Sequence, residues 1–219
     1  ITQVDYALGR IFGCLRENDL FKNTWIIFTA DHGEMLGDHH MSQKNLFFEG
    51  SAHVPLLIMP PQGRSLPQNI SVEAPTDLVD LYPTILAMAG LSSPVSVSGR
   101  NLLEPVPMDR IFFGNSLNRN FCVMEEKVKL VYSAVGDHVL LFDLNTDPME
   151  QHNLAEDPAW QERKAKLWKL LLEHTAQYTP EALDEKGQFL TYEAPHFPGD
   201  VPGRWFGFHY HDYSVDTFH

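Results

Sequence analysis

The sequence has very little cysteine. Only Cys14 and Cys122 occur among its 219 residues, and neither forms a C-x-x-C pair. Two thiols are too few for the disulfide framework that small secreted domains use. We therefore interpret both cysteines as ordinary core or surface thiols.

Basic residues and long apolar runs are also scarce. The 16 Lys and Arg stand against 29 Asp and Glu, which leaves a net charge of -13. This balance argues against binding to nucleic acid or to anionic lipid, because both need a basic face. No run approaches the roughly 20 apolar residues of a membrane span. An anionic substrate is not excluded, because a metal ion and a few local cations can override the average charge.

The first half of the chain has the pattern of an α/β protein. Residues 1–17 repeat apolar side chains at spacings of three and four, which predicts an amphipathic helix. Residues 25–30 and 54–59 are short apolar runs, typical of strands buried on both faces in a parallel sheet. Residues 77–89 predict a helix, with Thr76 or Asp77 as its candidate N-cap.

The pattern of predicted helices and strands changes after a stretch rich in proline and glycine. Four short strand-like pieces and one helix, residues 159–177, predict a small α+β subdomain with an antiparallel sheet. We therefore divide the chain into residues 1–104, 105–180 and a tail, 181–219. The strand-like pieces are residues 110–114, 120–125, 129–133 and 139–143.

The tail combines aromatic residues with His209, His211 and His219. We favour packing of this tail over the core of the protein. Two alternatives stay open. Its aromatic side chains could line a substrate pocket, or its histidines could bind a metal.

The strongest chemical signal is the turn Asp31-His32-Gly33, which directly follows the first predicted strand. In open α/β sheets, ligands bind at the carboxyl ends of strands. An adjacent carboxylate and imidazole can ligate one metal ion, and the glycine lets the backbone turn tightly beside them. The residues alone leave a second interpretation open, in which Asp31 caps the next helix and His32 is a polar loop residue.

A polar stretch, Gly37-Asp38-His39-His40, follows this turn and leads to Lys44. A lysine ammonium is a compact cation suited to an oxyanion of sulfate or phosphate. A single lysine is more often a solvated surface side chain. The nearby carboxylate and imidazole favour the functional interpretation of Lys44.

Three stretches of the chain resemble type I sulfatases of the alkaline phosphatase superfamily. The run TADHGEMLGDHHMSQKNLFFEGSAHVPLLIMPP resembles their second metal-binding segment. APTDLVDLYPTILAMAGL resembles the helix after their sheet, and LLFDLNTDPMEQHNLAEDP resembles their C-terminal signature. The resemblance implies that residues 1–104 are the C-terminal part of an alkaline-phosphatase-like sandwich. Its sheet would be mixed and largely parallel, between helices, with the α+β subdomain following it.

The resemblance also implies roles for individual residues. Asp31 and His32 would be ligands of one divalent cation, which is usually calcium in sulfatases. Because a nitrogen ligand suits calcium less well than an oxygen, His32 leaves manganese or zinc open. Lys44 matches the lysine that contacts the sulfate group and stabilises charge as the ester bond breaks.

Two further histidines lie near these residues. His39 either contacts the substrate or makes a structural hydrogen bond. His53 stands where relatives often carry arginine. We interpret His53 as a packing residue or as one that supports the site indirectly.

Several residues that the family needs for catalysis are missing from this chain. The sulfatase nucleophile is a formylglycine made from Cys or Ser in C/S-x-P-x-R, and no stretch here fits that pattern. The family's paired aspartates and second catalytic histidine are missing too. We therefore expect the chain to be the C-terminal half of a sulfatase, inactive alone and completed by an N-terminal half.

Three functional hypotheses follow from these residues. The first is a sulfuric ester hydrolase acting on a carbohydrate sulfate, with aryl and choline sulfates also open. The second is a phosphonate or phosphate monoester hydrolase of the same superfamily, because these esters present similar tetrahedral oxyanions. The third is a non-catalytic binding module that keeps the fold.

Overall fold

A computed structural model of the chain describes residues 1–41, 44, 47–64 and 70–193. The helices are α1 (Thr2–Glu17), α2 (Glu49–Ala52), α3 (Leu81–Met88) and α4 (Gln161–Tyr178). The strands are β1 (Ile26–Thr29), β2 (Leu56–Met59), β3 (Phe112–Ser116), β4 (Asn120–Glu125), β5 (Val128–Ser133) and β6 (His138–Asp143). Every helix in the described ranges is too short or too polar to cross a bilayer.

The chain divides into two compact units. The first contains Ile1–Asp31 and Val54–Val106, and the second contains His32–His53 and the chain from Pro107 onward. These limits differ from our predicted region 1–104, because the segment with the candidate lysine packs with the later part of the chain. The sequence pattern could not show this, since that segment is short and has no regular period.

The first unit contains α1, α3 and a two-stranded sheet. β1 and β2 pair antiparallel, with Ile26 opposite Met59. The parallel neighbour that the apolar run 25–30 predicted is not found in this pair, and an antiparallel pair is compatible with the mixed sheet that the resemblance implies. Phe28 and Leu57 are exposed, so one face of each strand is uncovered in this unit. An apolar run indicates that a strand is partly covered, but it does not give the direction of the neighbouring strand.

A buried polar cluster builds the start of α3. Asp80 is fully buried and accepts hydrogen bonds from the backbone N–H groups of Asp77 at 2.9 Å and Arg100 at 2.8 Å. The Thr84 hydroxyl donates to the Asp80 carbonyl at 2.6 Å and accepts from the Leu102 N–H at 2.9 Å. These bonds satisfy donors at the helix start and fasten a later loop to it. The predicted N-cap at Asp77 is confirmed for the 3-10 turn Leu78–Asp80, and α3 itself begins after this turn, at Leu81.

The second unit is built on a four-stranded antiparallel sheet in the order β3-β4-β5-β6. α4 covers one face of this sheet, and side chains from the segment around Met35 and Phe48 cover the other. Because both faces are covered, all 6 residues of β5 are buried. The fully buried side chains on the α4 side include Val123, Leu130, Leu141 and Leu167. The predicted α+β arrangement of sheet and helix is confirmed.

The predicted tail begins inside the second unit. Ala182 and Phe189 belong to the core under α4. Tyr192 forms an isolated parallel bridge with Val135. Residues 194–219, which include the three tail histidines, lie outside the described residues, so our interpretation of them stays a prediction.

Candidate active site

The candidate metal ligands lie on the turn that follows β1. Asp31 is exposed and His32 is partly buried. The Nδ1 atom of His32 lies 2.8 Å from the carbonyl oxygen of Gly33. A carbonyl oxygen only accepts hydrogen bonds, so in the neutral ring Nδ1 carries the proton and Nε2 carries the lone pair. This contact is compatible with a proton on Nδ1, the tautomer in which Nε2 would be the ligating nitrogen.

Gly33 allows a close backbone approach beside these two residues. Its N–H donates to the carbonyl oxygen of Ser51 at 2.7 Å. A Cβ atom at this position would lie only 2.1 Å from the carbonyl oxygen of Gly50. Any side chain here would collide with the backbone of α2, so only glycine lets the His32 segment lie against that helix.

His39 packs against an aromatic side chain. Its backbone is left-handed, with φ 53°. Its ring stacks on Phe48 with the ring centroids 4.2 Å apart and an interplanar angle of 17°. Both rings border an open hollow of about 240 Å³ whose polar lining is Glu150, Gln151 and Asn153. The structure thus gives His39 a packing contact, and contact with substrate stays a prediction.

Lys44 is exposed between two anchored parts of the second unit. Before it, Met35 and Met41 are buried against the sheet face that α4 leaves uncovered. After it, Phe48 is buried in the same cluster and Phe47 packs against its edge. The lysine is therefore at the surface of a rigid support, where an anionic group can reach it.

His53 contacts a carboxylate at the end of α2. Its Nδ1 atom lies 2.8 Å from Oε2 of Glu49, and 74% of its side chain is exposed. This contact does not fit the predicted packing role. It fits the alternative, in which His53 supports the site through another residue.

A buried ion cluster that the sequence analysis missed lies next to Glu49. Lys129 of β5 is only 3% exposed and donates to Oε1 of Glu49 at 2.5 Å and to Oε1 of Glu150 at 2.9 Å. Lys129 also donates to the carbonyl oxygen of Phe47 at 2.8 Å. One signal was available, because Lys129 interrupts an otherwise apolar strand, and a buried lysine needs partners.

The charge state of this cluster follows from its surroundings. Burial alone lowers the pKa of Lys129, but its interactions with Cys122, Glu150 and Glu49 outweigh that effect, so the pKa is raised. Burial raises the pKa of the Cys122 thiol to about 12. At neutral pH the cluster therefore contains a charged lysine beside a neutral thiol.

The donors present fit only part of a cation site. Within the described residues, no three His, Cys, Asp or Glu side chains gather closely enough to hold a metal ion. Asp31 and His32 offer one carboxylate and one imidazole. Calcium takes about six to eight ligands and zinc about four. The pair is thus compatible with either type of ion, provided that further ligands come from elsewhere.

Comparison with known proteins decides the family. A family profile named sulfatase matches residues 1–91, which include Asp31, His32 and Lys44. The chain is 33% identical over 174 residues to arylsulfatase K of Xenopus laevis, an alignment that covers 70% of this chain and 32% of the relative. The chain belongs to the sulfatase family.

Solved structures share the fold of this sulfatase-family chain. The phosphonate monoester hydrolase of Agrobacterium radiobacter is 32% identical with a TM-score of 0.64, over 85% of this chain and 42% of that one. A protein solved with its substrate, D-glucosamine-2-N,6-O-disulfate, is 24% identical with a TM-score of 0.65, over 84% of this chain and 40% of that one. At that identity the second likeness shows the fold alone. The chain spans about a third of the length of the curated relatives it matches.

Proposed function

We propose that the chain is the part of a sulfuric ester hydrolase that supplies Asp31, His32 and Lys44, and that an N-terminal half completes it. The observation that carries this proposal is the order of these residues on one segment after β1, with Gly33 held against α2. The name of the relative, arylsulfatase K, supports hydrolysis of a sulfate ester. The N-terminal half would carry the nucleophile and the remaining metal ligands.

Each of these residues has a distinct task in the proposed site. Sulfatases generally use a divalent cation and a formylglycine, and a bound cation would polarise the sulfate group. Asp31 would donate a carboxylate oxygen to the cation, and His32 would donate Nε2 from a ring oriented by its Nδ1 contact. Lys44 would place an ammonium beside the sulfate oxygens and stabilise the charge that builds as the ester bond breaks.

Calcium is the cation we propose first, because the carboxylate of Asp31 is an oxygen donor of the kind calcium prefers. The imidazole of His32 keeps manganese and zinc as alternatives. Calorimetric titration of the chelated complete protein with each ion separates them, and Asp31→Asn should weaken binding of the preferred ion. Equal binding by the wild type and this variant would remove Asp31 from the ligand set.

A carbohydrate sulfate is the substrate class we propose. The structure solved with D-glucosamine-2-N,6-O-disulfate shows that a protein of this fold accepts a sulfated sugar. The hollow beside His39 and Phe48 offers stacked rings and polar side chains, the mixture that a sugar face requires.

A phosphonate monoester hydrolase is the second candidate. The Agrobacterium radiobacter enzyme of that name is among the similar solved structures, at 32% identity. The nitrogen donor of His32 favours ions other than calcium. Parallel assays with a chromogenic aryl sulfate and the matching aryl phosphonate separate the two functions by the ratio of kcat/KM.

The decisive experiment uses the complete enzyme, meaning this chain together with its N-terminal half. We expect hydrolysis of the aryl sulfate and a loss of about a hundredfold or more in kcat for Lys44→Ala, because one preorganised cation is removed. Lys169→Ala is the matched control, since Lys169 is an exposed lysine of α4. Unchanged turnover in Lys44→Ala would reject the assigned role. Turnover by the 219-residue chain alone would reject the half-enzyme proposal.

A further inference from the structure

We infer that the buried cluster of Lys129, Glu49 and Glu150 is a positioning group for Lys44. This inference rests on the proposed function, in which Lys44 contacts the sulfate group. Lys129 lies on β5, in the middle of the four-stranded sheet, and Glu49 begins α2. The cluster therefore ties the chain that follows Lys44 to the most buried strand of the second unit.

The hydrogen bonds of Lys129 fix the backbone directly. A lysine ammonium has three donors, and Lys129 has three acceptors within 2.9 Å, one of which is the carbonyl oxygen of Phe47. The backbone N–H of Glu49 donates to Oε2 of Glu150 at 2.7 Å. Two successive points of the main chain are thus held by buried side chains.

The remaining carboxylate oxygens of the cluster are also used. Oε2 of Glu49 contacts Nδ1 of His53 at 2.8 Å, at the other end of α2. Both oxygens of Glu150 have partners, Lys129 and the Glu49 N–H. A network whose carboxylate oxygens all have partners, and whose Lys129 and Glu150 are buried, has few alternative arrangements, so it holds its segment in one geometry.

Packing around Phe47 adds to this anchorage. A Cβ atom at position 114 would lie 2.3 Å from Cε1 of Phe47, so Gly114 of β3 leaves space for that ring. Phe48 is only 4% exposed and contacts Phe142 with ring centroids 5.9 Å apart. Phe47 and Phe48 are therefore fixed by both polar and apolar contacts.

Lys44 is close in sequence to residues that are held in place on both sides, so its own position is restrained too. Lys44 lies three positions before Phe47 and three positions after the buried Met41. A chain of three residues spans at most about 10 Å. The Cα atom of Lys44 must therefore stay within that reach of two anchors on the same sheet.

Stability alone does not explain a buried ion cluster. Buried ion pairs often stabilise a fold no better than apolar residues of the same size, because their desolvation is costly. This cluster links β5 to the chain near Lys44. We therefore explain its presence by the position that it imposes on that part of the chain. Misplacement of a catalytic group by about 1 Å can cost about a hundredfold in rate.

The test removes the cluster in the complete enzyme while avoiding unpaired buried charges. Lys129→Met alone leaves two carboxylates without their cation and can prevent folding. The triple variant Lys129→Met, Glu49→Gln, Glu150→Gln is neutral and keeps an acceptor for the Glu49 N–H. The matched control is Arg163→Met with Glu125→Gln, which removes a partly buried ion pair of 2.8 Å on the α4 side.

We expect the folded triple variant to lose about tenfold or more in kcat for the aryl sulfate, with little change in KM. Amide hydrogen exchange should rise in residues 47–53 and stay unchanged in β4. In a Lys44→Ala background the triple change should cause little further loss, because it acts through Lys44. The control pair should leave kcat and the exchange of residues 47–53 at wild-type values.

Two results would overturn the inference. One is a folded triple variant with wild-type kcat and wild-type exchange in residues 47–53. The other is a loss of kcat from the triple change that is as large in the Lys44→Ala background as in the enzyme with Lys44 intact. Failure of the proposed function looks different, because then the wild-type enzyme does not hydrolyse the sulfate or Lys44→Ala has no effect. The exchange measurement still tests the anchorage in that case, since it needs no turnover.

Discussion

The two compact units differ in how completely their apolar side chains are covered. In the first unit α1 has no buried residue, and Val4 and Ile11 are 58% and 55% exposed. In the second unit Leu167 and Leu171 of α4 are at most 1% exposed, and β5 is buried throughout. Both units contain apolar helices and strands, so composition does not separate them.

This difference predicts that the two units differ in stability. A two-stranded sheet is marginal in water, whereas three or more strands with a covered face are stable. The second unit meets that condition on both faces of its sheet. In the 219-residue chain by itself, the first unit depends more on the hydrogen bonds around Asp80, so we expect it to open more readily.

The largest expected effect comes from a matched pair of variants that truncate one apolar helix side chain in each unit. Leu167→Ala should lower the free energy of unfolding of the second unit by about 2–5 kcal/mol, because it leaves a cavity under the sheet. Ile11→Ala should change the stability of the first unit by less than about 0.5 kcal/mol, because that side chain is exposed. Hydrogen exchange of β5 and α1 amides measures both. Equal effects in the two units would break the comparison.

A smaller effect tests whether the polar cluster holds the first unit together. Asp80→Ala removes the acceptor for the N–H groups of Asp77 and Arg100, and we expect a loss of about 1–3 kcal/mol. Exchange of the Arg100 amide should accelerate accordingly. Glu104→Ala is the control, because its bond to Asn101 is exposed. Unchanged protection in Asp80→Ala would show that packing alone orders this unit.

The smallest expected effect is a pH dependence confined to the second unit. His174 stacks on Phe113 with ring centroids 3.9 Å apart, and burial lowers the pKa of this histidine. The unfolded chain therefore binds the proton first. The stability contributed by neutral His174 is fully present above the unfolded pKa of about 6.5 and is lost as pH falls toward the lowered pKa.

His174→Phe should keep the stacking and remove this titration. Urea denaturation between about pH 7 and pH 5 should then show a smaller loss of stability than in the wild type. His138, whose pKa burial also lowers against the opposing effect of Asp137, is present in both proteins and supplies the common background. Parallel pH profiles for the two proteins would contradict the assignment.

Local pattern predicted the elements of the second unit well. β4 has the predicted bounds, and α4 begins two residues later than predicted, after the 3-10 turn Pro158–Trp160. The spacing of apolar residues along a strand or a helix depends only on which side of that element is covered. It can therefore be recognised without knowing which other elements cover it. The direction of the β1–β2 pairing could not be read in this way, because it is a relation between two strands.

The candidate site shows the same limit. Asp31, His32 and Lys44 lie on one short segment, so their pattern could be recognised as it stands. Glu49 and Glu150 are 101 residues apart, and no local pattern connects them. Their cluster is a product of the fold.

The sequence by itself predicted the elements of the second unit and singled out Asp31, His32 and Lys44 as candidate site residues, because each of these features depends on neighbouring residues along the chain. Only the tertiary structure decided that the segment 32–53 packs with the later sheet and that Lys129 binds there. The physical reason is that burial on two faces of a sheet brings distant residues together. A buried ammonium then takes its partners from whichever acceptors the fold places within its reach.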